Sequence, residues 1–288
     1  MKKRWIIAIS VIVALVGLLV LLAFTLFSLR EVKVDFRTSR QHLTASETEI
    51  VESAEIKLGS SVFFRNKDKY ARNIEEKYPY AKVINIETVF PSTLVVHIAE
   101  REELYAVAFD GGHYICDNEL IILRSDDNFS SSAGGVILLS GIDAPNGLVA
   151  GQRIDGALPA LAEAMRENNC LAGEMRSMIK SVNVTNVFDE NINASQTALQ
   201  LEFYSGQTFV IYNCDYGLRY KAGLLLEVYA QLYTYIGKEI TVDGQTVILT
   251  EQNLSSATIE IRNFYDYREH DESDCYFDII TIGKQTAV

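Results

Sequence analysis

The chain carries little that reactive chemistry could use. It has only four histidines, His42, His97, His113 and His270, and none pairs with an Asp, Glu or Cys at the spacing of a metal site or a nucleophile triad. Its four cysteines, Cys116, Cys170, Cys214 and Cys275, are too widely spaced for a zinc knuckle. Three disulfide pairings are open to them in an oxidising exterior, and free thiols fit equally well. There is no glycine-rich phosphate loop and no basic stripe. A formal net charge of −12 over 288 residues speaks against a nucleic-acid partner. No cofactor, metal or small-molecule substrate is expected from such a sequence.

Charge is missing altogether from residues 5–29, WIIAISVIVALVGLLVLLAFTLFSL. At ~1.5 Å rise per residue a helix of this length crosses a hydrocarbon core of ~30 Å with some tilt. The run therefore reads as a transmembrane helix that ties the chain to a lipid bilayer through residues 5–29. A secretory signal peptide would have an apolar region of only ~7–15 residues and a small-x-small cleavage site. Trp5 stands where an interfacial aromatic belongs, beside Lys2, Lys3 and Arg4. Residues 1–4 are expected in the cytoplasm and the bulk outside, because Glu31 and Asp35 dilute the positive cluster Arg30, Lys33, Arg37 and Arg40 on the far side.

Beyond the uncharged run, residues 31–101 read as a first domain. EVKVDF alternates as a half-buried strand. Ser46, followed by Glu49, forms a capping box at the start of a helix whose apolar face is Ile50, Val51 and Ala54. Asn66 can cap a second helix carrying Tyr70, Ala71, Ile74 and Tyr78, stopped by Pro79. Two strands, AKVINIETV and STLVVHIAE, are joined around Phe90 and Pro91. In the second, Leu94, Val96, Ile98 and Glu100 share a face, so an apolar row ends on a carboxylate that needs backbone N–H donors or a cation if it is covered. His97 falls on the opposite face and is expected at the surface.

A strand–helix–helix–strand–strand order just outside a membrane anchor resembles a POTRA domain. VFPSTLVVHIAERE, with Pro91, Thr93, Leu94, Val96, Glu100 and Arg101, resembles the end of that domain in the FtsQ/DivIB family of bacterial cell-division proteins. The resemblance implies that Pro91, Glu100 and Arg101 form a structural domain joint rather than a catalytic group; no second positioned carboxylate or activated nucleophile accompanies Glu100.

Residues 102–262 read as a β-domain. Short strands are separated by the turn signals Asp110-Gly111-Gly112 and Asp117-Asn118, as in the family. GALPALAEAMRENN reads as a helix with Pro159 in its first turn. ALQLEFYSGQTFVIY is a hairpin turning at Ser205-Gly206, and a long helix comes after it with a Leu224, Leu225, Val228, Leu232 and Ile236 stripe ended by Gly237. QTVILT and SATIEIRN supply final strands. Ile259-Glu260-Ile261-Arg262 and Lys221 resemble the family's closing strand and its helix lysine. Residues 263–288 are an acidic tail, expected to be mobile. The fold class is thus α+β: an N-terminal transmembrane helix, a βααββ POTRA domain, and a mixed α/β domain with a mainly antiparallel sheet.

The resemblance implies a non-enzymatic scaffold of the division septum that binds small bitopic division proteins of the FtsB/DivIC and FtsL types and helps regulate septal peptidoglycan synthesis. A POTRA-bearing chaperone or adaptor for exported polypeptides, and a membrane-tethered wall hydrolase, are the alternatives. The partner site is expected at the last strand, read as a sheet edge open to β-augmentation: Ile259 and Ile261 on it, Phe264, Tyr265 and Tyr267 beyond it as aromatic anchors, and Arg262 with Lys221 to receive acidic groups; the alternative is that the tail covers this strand, which then merely closes the domain.

Overall fold

A computed structural model describes residues 5, 12–18, 26–61, 66–156, 158–189, 194–242, 245–263 and 275–281. The chain divides into two compact units, Met1–Arg101 and Glu102–Val288. Residues 12–18 are helical, but most of the uncharged run lies outside the described residues; among the described residues no helix is long and apolar enough to cross a membrane.

The first unit has the expected βααββ order: β1 (Glu31–Phe36), α1 (Glu47–Ser53), α2 (Lys67–Lys77), β2 (Ala81–Val89) and β3 (Thr93–Glu100). Its sheet runs β1-β3-β2, with β3 parallel to β1 and antiparallel to β2. The helix starts are set as the sequence dictates. Ser46 Oγ accepts from Glu49 N–H at 3.3 Å while Ser46 N–H donates to the Glu49 carboxylate at 2.8 Å, and Asn66 Oδ1 accepts from Lys69 N–H at 3.0 Å. Ile50 and Ile74 from the helices meet Ile86, Leu94, Val96 and Ile98 from the sheet in one core, the face that period-two alternation selects.

His97, on the other face, is not a surface group. It is buried, with Asp35 Oδ2 at 2.9 Å from Nδ1, Glu87 Oε2 at 3.3 Å from Nε2, and Arg37 Nη2 at 2.9 Å. The two neighbouring strands, with the residue just after β1, raise charged side chains around it and cover the ring.

The second unit begins with β4 (Tyr105–Phe109), β5 (Gly112–Cys116), β6 (Ile122–Asp126) and β7 (Ile137–Ser140). Helices α3 (Leu161–Glu167) and α4 (Ala172–Met178) lead to β8 (Ile179–Asp189), β9 (Ala194–Phe203) and β10 (Thr208–Ile211). Then come α5 (Leu218–Gln231), a 3-10 turn (Leu232–Tyr235), β11 (Glu239–Val242), β12 (Gln245–Ile248), α6 (Glu251–Leu254), β13 (Thr258–Asn263) and β14 (Cys275–Thr281). One nine-stranded sheet runs β14-β13-β10-β9-β8-β7-β4-β5-β6. Its pairings are five antiparallel and three parallel. Leu161, Met165, Leu225 and Val228 from the helices pack with Leu199, Leu201, Phe209, Ile259 and Ile261 from the strands.

Three elements differ from the sequence reading. β12 pairs only with β11, in a separate hairpin. Pro159 lies before α3 rather than in its first turn, its carbonyl accepting from Leu161 N–H at 2.6 Å. Most consequential, residues 275–281 form a strand on the outer side of β13. The alternation of 258–263 located a strand correctly, but a two-faced strand looks alike in the middle of a sheet and at its edge.

Candidate functional site

Glu100 receives the backbone donors its covered carboxylate needs. Gln41 and Leu43 N–H groups donate to it at 2.5 and 2.8 Å, and the His42 N–H donates as well. Its side chain is 7% exposed, and the His42 ring, 3.6 Å away, stacks on Tyr80. Three successive amides turned inward make an anion nest, so the carboxylate fixes the loop that leaves β1. Arg101, buried, reaches Glu75 of α2 at 3.4 Å, and the other Glu75 oxygen accepts from Val83 N–H at 2.8 Å. Both residues therefore tie down parts of the first unit. Pro91 does not share their position: it sits in the β2–β3 turn, at the opposite end of β3 from Glu100, after a cis Phe90–Pro91 bond.

The expected partner residues fall into three groups. Ile259 and Ile261 are fully buried, on a strand that runs between β10 and β14, so β13 is not an edge. Phe264, Tyr265 and Tyr267 lie outside the described residues. Lys221 is fully buried on α5, and its Nζ donates to the carbonyls of Tyr212, Asn213 and Tyr216 at 2.8, 2.7 and 2.7 Å. An ammonium has three protons, so Lys221 has none to offer a partner's carboxylate. It staples the β10–α5 connection instead.

Arg262 is on the opposite face of β13 and partly accessible. It grips the Glu260 carboxylate through Nε at 2.9 Å and Nη2 at 2.6 Å, and its guanidinium lies 3.8 Å above the Tyr212 ring. Tyr212 Oη donates to the other Glu260 oxygen at 2.7 Å. Tyr212, Glu260 and Arg262 thus form one clasp across β10 and β13. The i, i+2 spacing of Glu260 and Arg262 was a signal for the pair; Tyr212 comes from a different strand end and had none. Among the described residues the edge is β14, where Tyr276 stands opposite Arg262 in the register.

The cysteines are free thiols, three of them buried, and burial pushes Cys116 and Cys214 up to about 12 and Cys170 up to about 11, which suppresses the reactive thiolate. Burial also pushes Lys221 down to about 8, opposed by the field of Cys214, Cys275 and Asp215. Among the described residues no three His, Cys, Asp or Glu side chains are grouped to hold a metal ion.

Residues 27–101 match the family model of the FtsQ-type POTRA domain. The chain is 28% identical over 100 residues to the cell division protein DivIB of Clostridium acetobutylicum, which covers 35% of this chain and 39% of that protein. It is 28% identical over 121 residues to the DivIB of Clostridium tetani, covering 41% and 43%. The matched part spans about two fifths of the length of these curated relatives. Family model and relatives together support the FtsQ/DivIB family, the resemblance drawn from Pro91 to Arg101.

Proposed function

We propose that this chain, with its FtsQ-type POTRA domain and its DivIB relatives, is a cell-division protein that works as a non-enzymatic scaffold. It is held by residues 5–29 in the cell membrane at the septum, N-terminus in the cytoplasm, bulk outside. It binds small bitopic partners of the FtsB/DivIC and FtsL types and through them helps regulate septal peptidoglycan synthesis. The observation that carries this reading is the FtsQ-type domain over residues 27–101, directly after the uncharged run.

The sheet order supports a partner surface at β14. β14 ends the nine-stranded sheet among the described residues, so one side of its backbone can take an added strand, with main-chain bonds for affinity and alternate side chains for register. The Tyr212–Glu260–Arg262 clasp stiffens the strands behind that edge. Proline at Ile261 would break an interior strand and is no test of an edge.

The experiment is truncation after Asn263 in the full-length chain, with binding to a bitopic partner's extracytoplasmic segment as the readout. A second variant replaces Phe264, Tyr265 and Tyr267 with alanine. Binding lost on truncation but kept in the alanine variant supports the β14 edge. Unchanged binding by a truncated, still-folded chain refutes it. Release of wall fragments by the purified protein would favour the hydrolase instead.

A further inference from the structure

The polarity of the small sheet decides what lies at each of its ends. β1 and β3 run parallel, so both begin at one pole, and antiparallel β2 finishes there at Val89. Residues 27–30 enter the domain at that pole, between two turns. On one side Leu29 N–H donates to Ser60 O at 2.9 Å and Leu29 O accepts from Gly59 N–H at 2.8 Å; on the other, Arg30 and Glu31 N–H donate to Ser92 O at 2.8 and 3.3 Å. Phe27 sets its ring edge-on to Phe90, centroids 6.1 Å apart.

Tight surface turns are ordinarily filled with small polar residues. These two instead present Leu58, 64% exposed, and Val89 and Phe90, 44% and 59% exposed, beside Leu26 at 51%. The opposite pole, where Glu100 meets Gln41 and His42, is polar. Large apolar side chains gathered at one end of a domain mark an interaction surface. Its neighbour along the chain is the uncharged run itself, which stops at Leu29. A helix from Trp5 to Leu26 would measure ~33 Å against a hydrocarbon core of ~30 Å, so a run anchored at Trp5 brings Leu26 to the far headgroup layer. Arg30 and Lys57, both exposed, flank the patch at the level where lipid phosphates would lie.

We propose that this pole is a membrane-contact surface: Leu58, Val89 and Phe90 enter the interfacial layer of the leaflet from which residues 5–29 emerge, with Arg30 and Lys57 at the headgroups. The proposal rests on residues 5–29 spanning the bilayer. A domain seated on lipid by its turns as well as tethered by its anchor is restricted in tilt, which favours lateral encounter with other membrane-held proteins.

Trp5 is the sole tryptophan, so Trp5→Phe clears the background for a fluorescence test. The full chain with Trp5→Phe and one of Phe90→Trp, Leu58→Trp or Ile84→Trp is placed in phosphatidylethanolamine–phosphatidylglycerol vesicles containing lipids brominated near the headgroup end of the acyl chain. Ile84 is exposed five residues before Val89 on β2, roughly 17 Å from the pole, and serves as the control. Phe90→Trp and Leu58→Trp should emit to the blue of Ile84→Trp, lose intensity to the brominated lipid and resist aqueous iodide. If carbonate-washed vesicles retain the chain while both variants stay as open to iodide as the control, the anchor stands and the contact surface is overturned. Blue-shifted emission without bromine quenching overturns it in favour of a second protein copy. A chain lost on washing overturns the anchor, and the surface with it.

Discussion

Each of the two units secures a loop with one buried ion, and the ions have opposite signs. In the first, Glu100 gathers the N–H groups of Gln41, His42 and Leu43; in the second, Lys221 gathers the carbonyls of Tyr212, Asn213 and Tyr216. The sign depends on which backbone groups the loop leaves unpaired in a dry place. The settings differ in difficulty. Glu100 stops a strand close to solvent, whereas Lys221 sits in the first turn of α5, where the helix dipole opposes a cation, and α5 has no side-chain cap at Gly217. The three carbonyls offset only part of the burial and dipole cost, since Lys221 is pushed down to about 8, yet they are what holds the connection, so more depends on Lys221.

The largest expected effect tests that inequality. Lys221→Met keeps the stem and removes the ammonium, and with it the hydrogen bonds donated to the Tyr212, Asn213 and Tyr216 carbonyls. It should cost about 3–5 kcal/mol, read as a lowered denaturation midpoint for the second unit's transition while the first unit's stays in place.

Alkaline pH should separate the units next. All four cysteines belong to the second unit. Cys116, Cys170 and Cys214 have folded values raised above their ordinary 9.0. The folded state therefore holds protons that the unfolded chain releases above pH 9, and stability present below pH 9 is lost as pH rises. Lys221 acts in the opposite direction: between about 8 and its ordinary 10.5 the unfolded chain binds the extra proton, so its contribution to stability grows with pH. Near pH 10 three thiols against one ammonium leave a net of about two protons, a slope of about 2–3 kcal/mol per pH unit. Melting from pH 8 to 10.5 should show the second unit falling; an equal fall in the first unit would break the contrast.

Glu100→Gln comes third. The amide keeps one acceptor but points a donor at inward-facing N–H groups, and should cost about 1–3 kcal/mol in the first unit alone. It should leave the second unit's melt unmoved.

How far each ion was legible in the sequence depends on where its partners come from. Glu100 was conspicuous because it interrupts a period-two apolar row, and a covered carboxylate demands donors; only the identity of the loop was hidden, since Gln41 to Leu43 lie almost sixty residues away. The helix caps at Ser46 and Asn66 and the turn at Ser205-Gly206 were legible for the same reason: their partners are local. Lys221 was visible as a residue but read as a partner-facing charge, because a lysine on an amphipathic helix is ordinarily solvated and nothing local announces three carbonyls from the preceding connection. β14 lies in CYFDIIT, beyond an acidic stretch whose composition dominated the reading of 263–288. The clustering of Leu58 and Phe90 depends on β1 and β3 being parallel, a pairing that no local pattern encodes.

The smallest effect concerns the arginines, one per unit, that end β3 and β13. Arg101 is buried and reaches Glu75 at 3.4 Å, whereas Arg262 is partly exposed, holds Glu260 by two nitrogens and lies over Tyr212. Lysine can reproduce a single charge contact but neither the fork nor the flat stacking surface. Arg262→Lys should therefore cost about 0.5–1.5 kcal/mol, solvent screening keeping it below the buried ions. The clasp makes a sharper claim than the size of the loss. Tyr212→Phe removes the hydroxyl that holds Glu260 but keeps the ring, so if Tyr212, Glu260 and Arg262 act together, Glu260 is freed in that background and Arg262→Lys should cost measurably less. Additive losses in this double-mutant cycle would mean that Tyr212 and Arg262 each contact Glu260 independently, and the strands behind the β14 edge would then be held by separate contacts rather than one clasp.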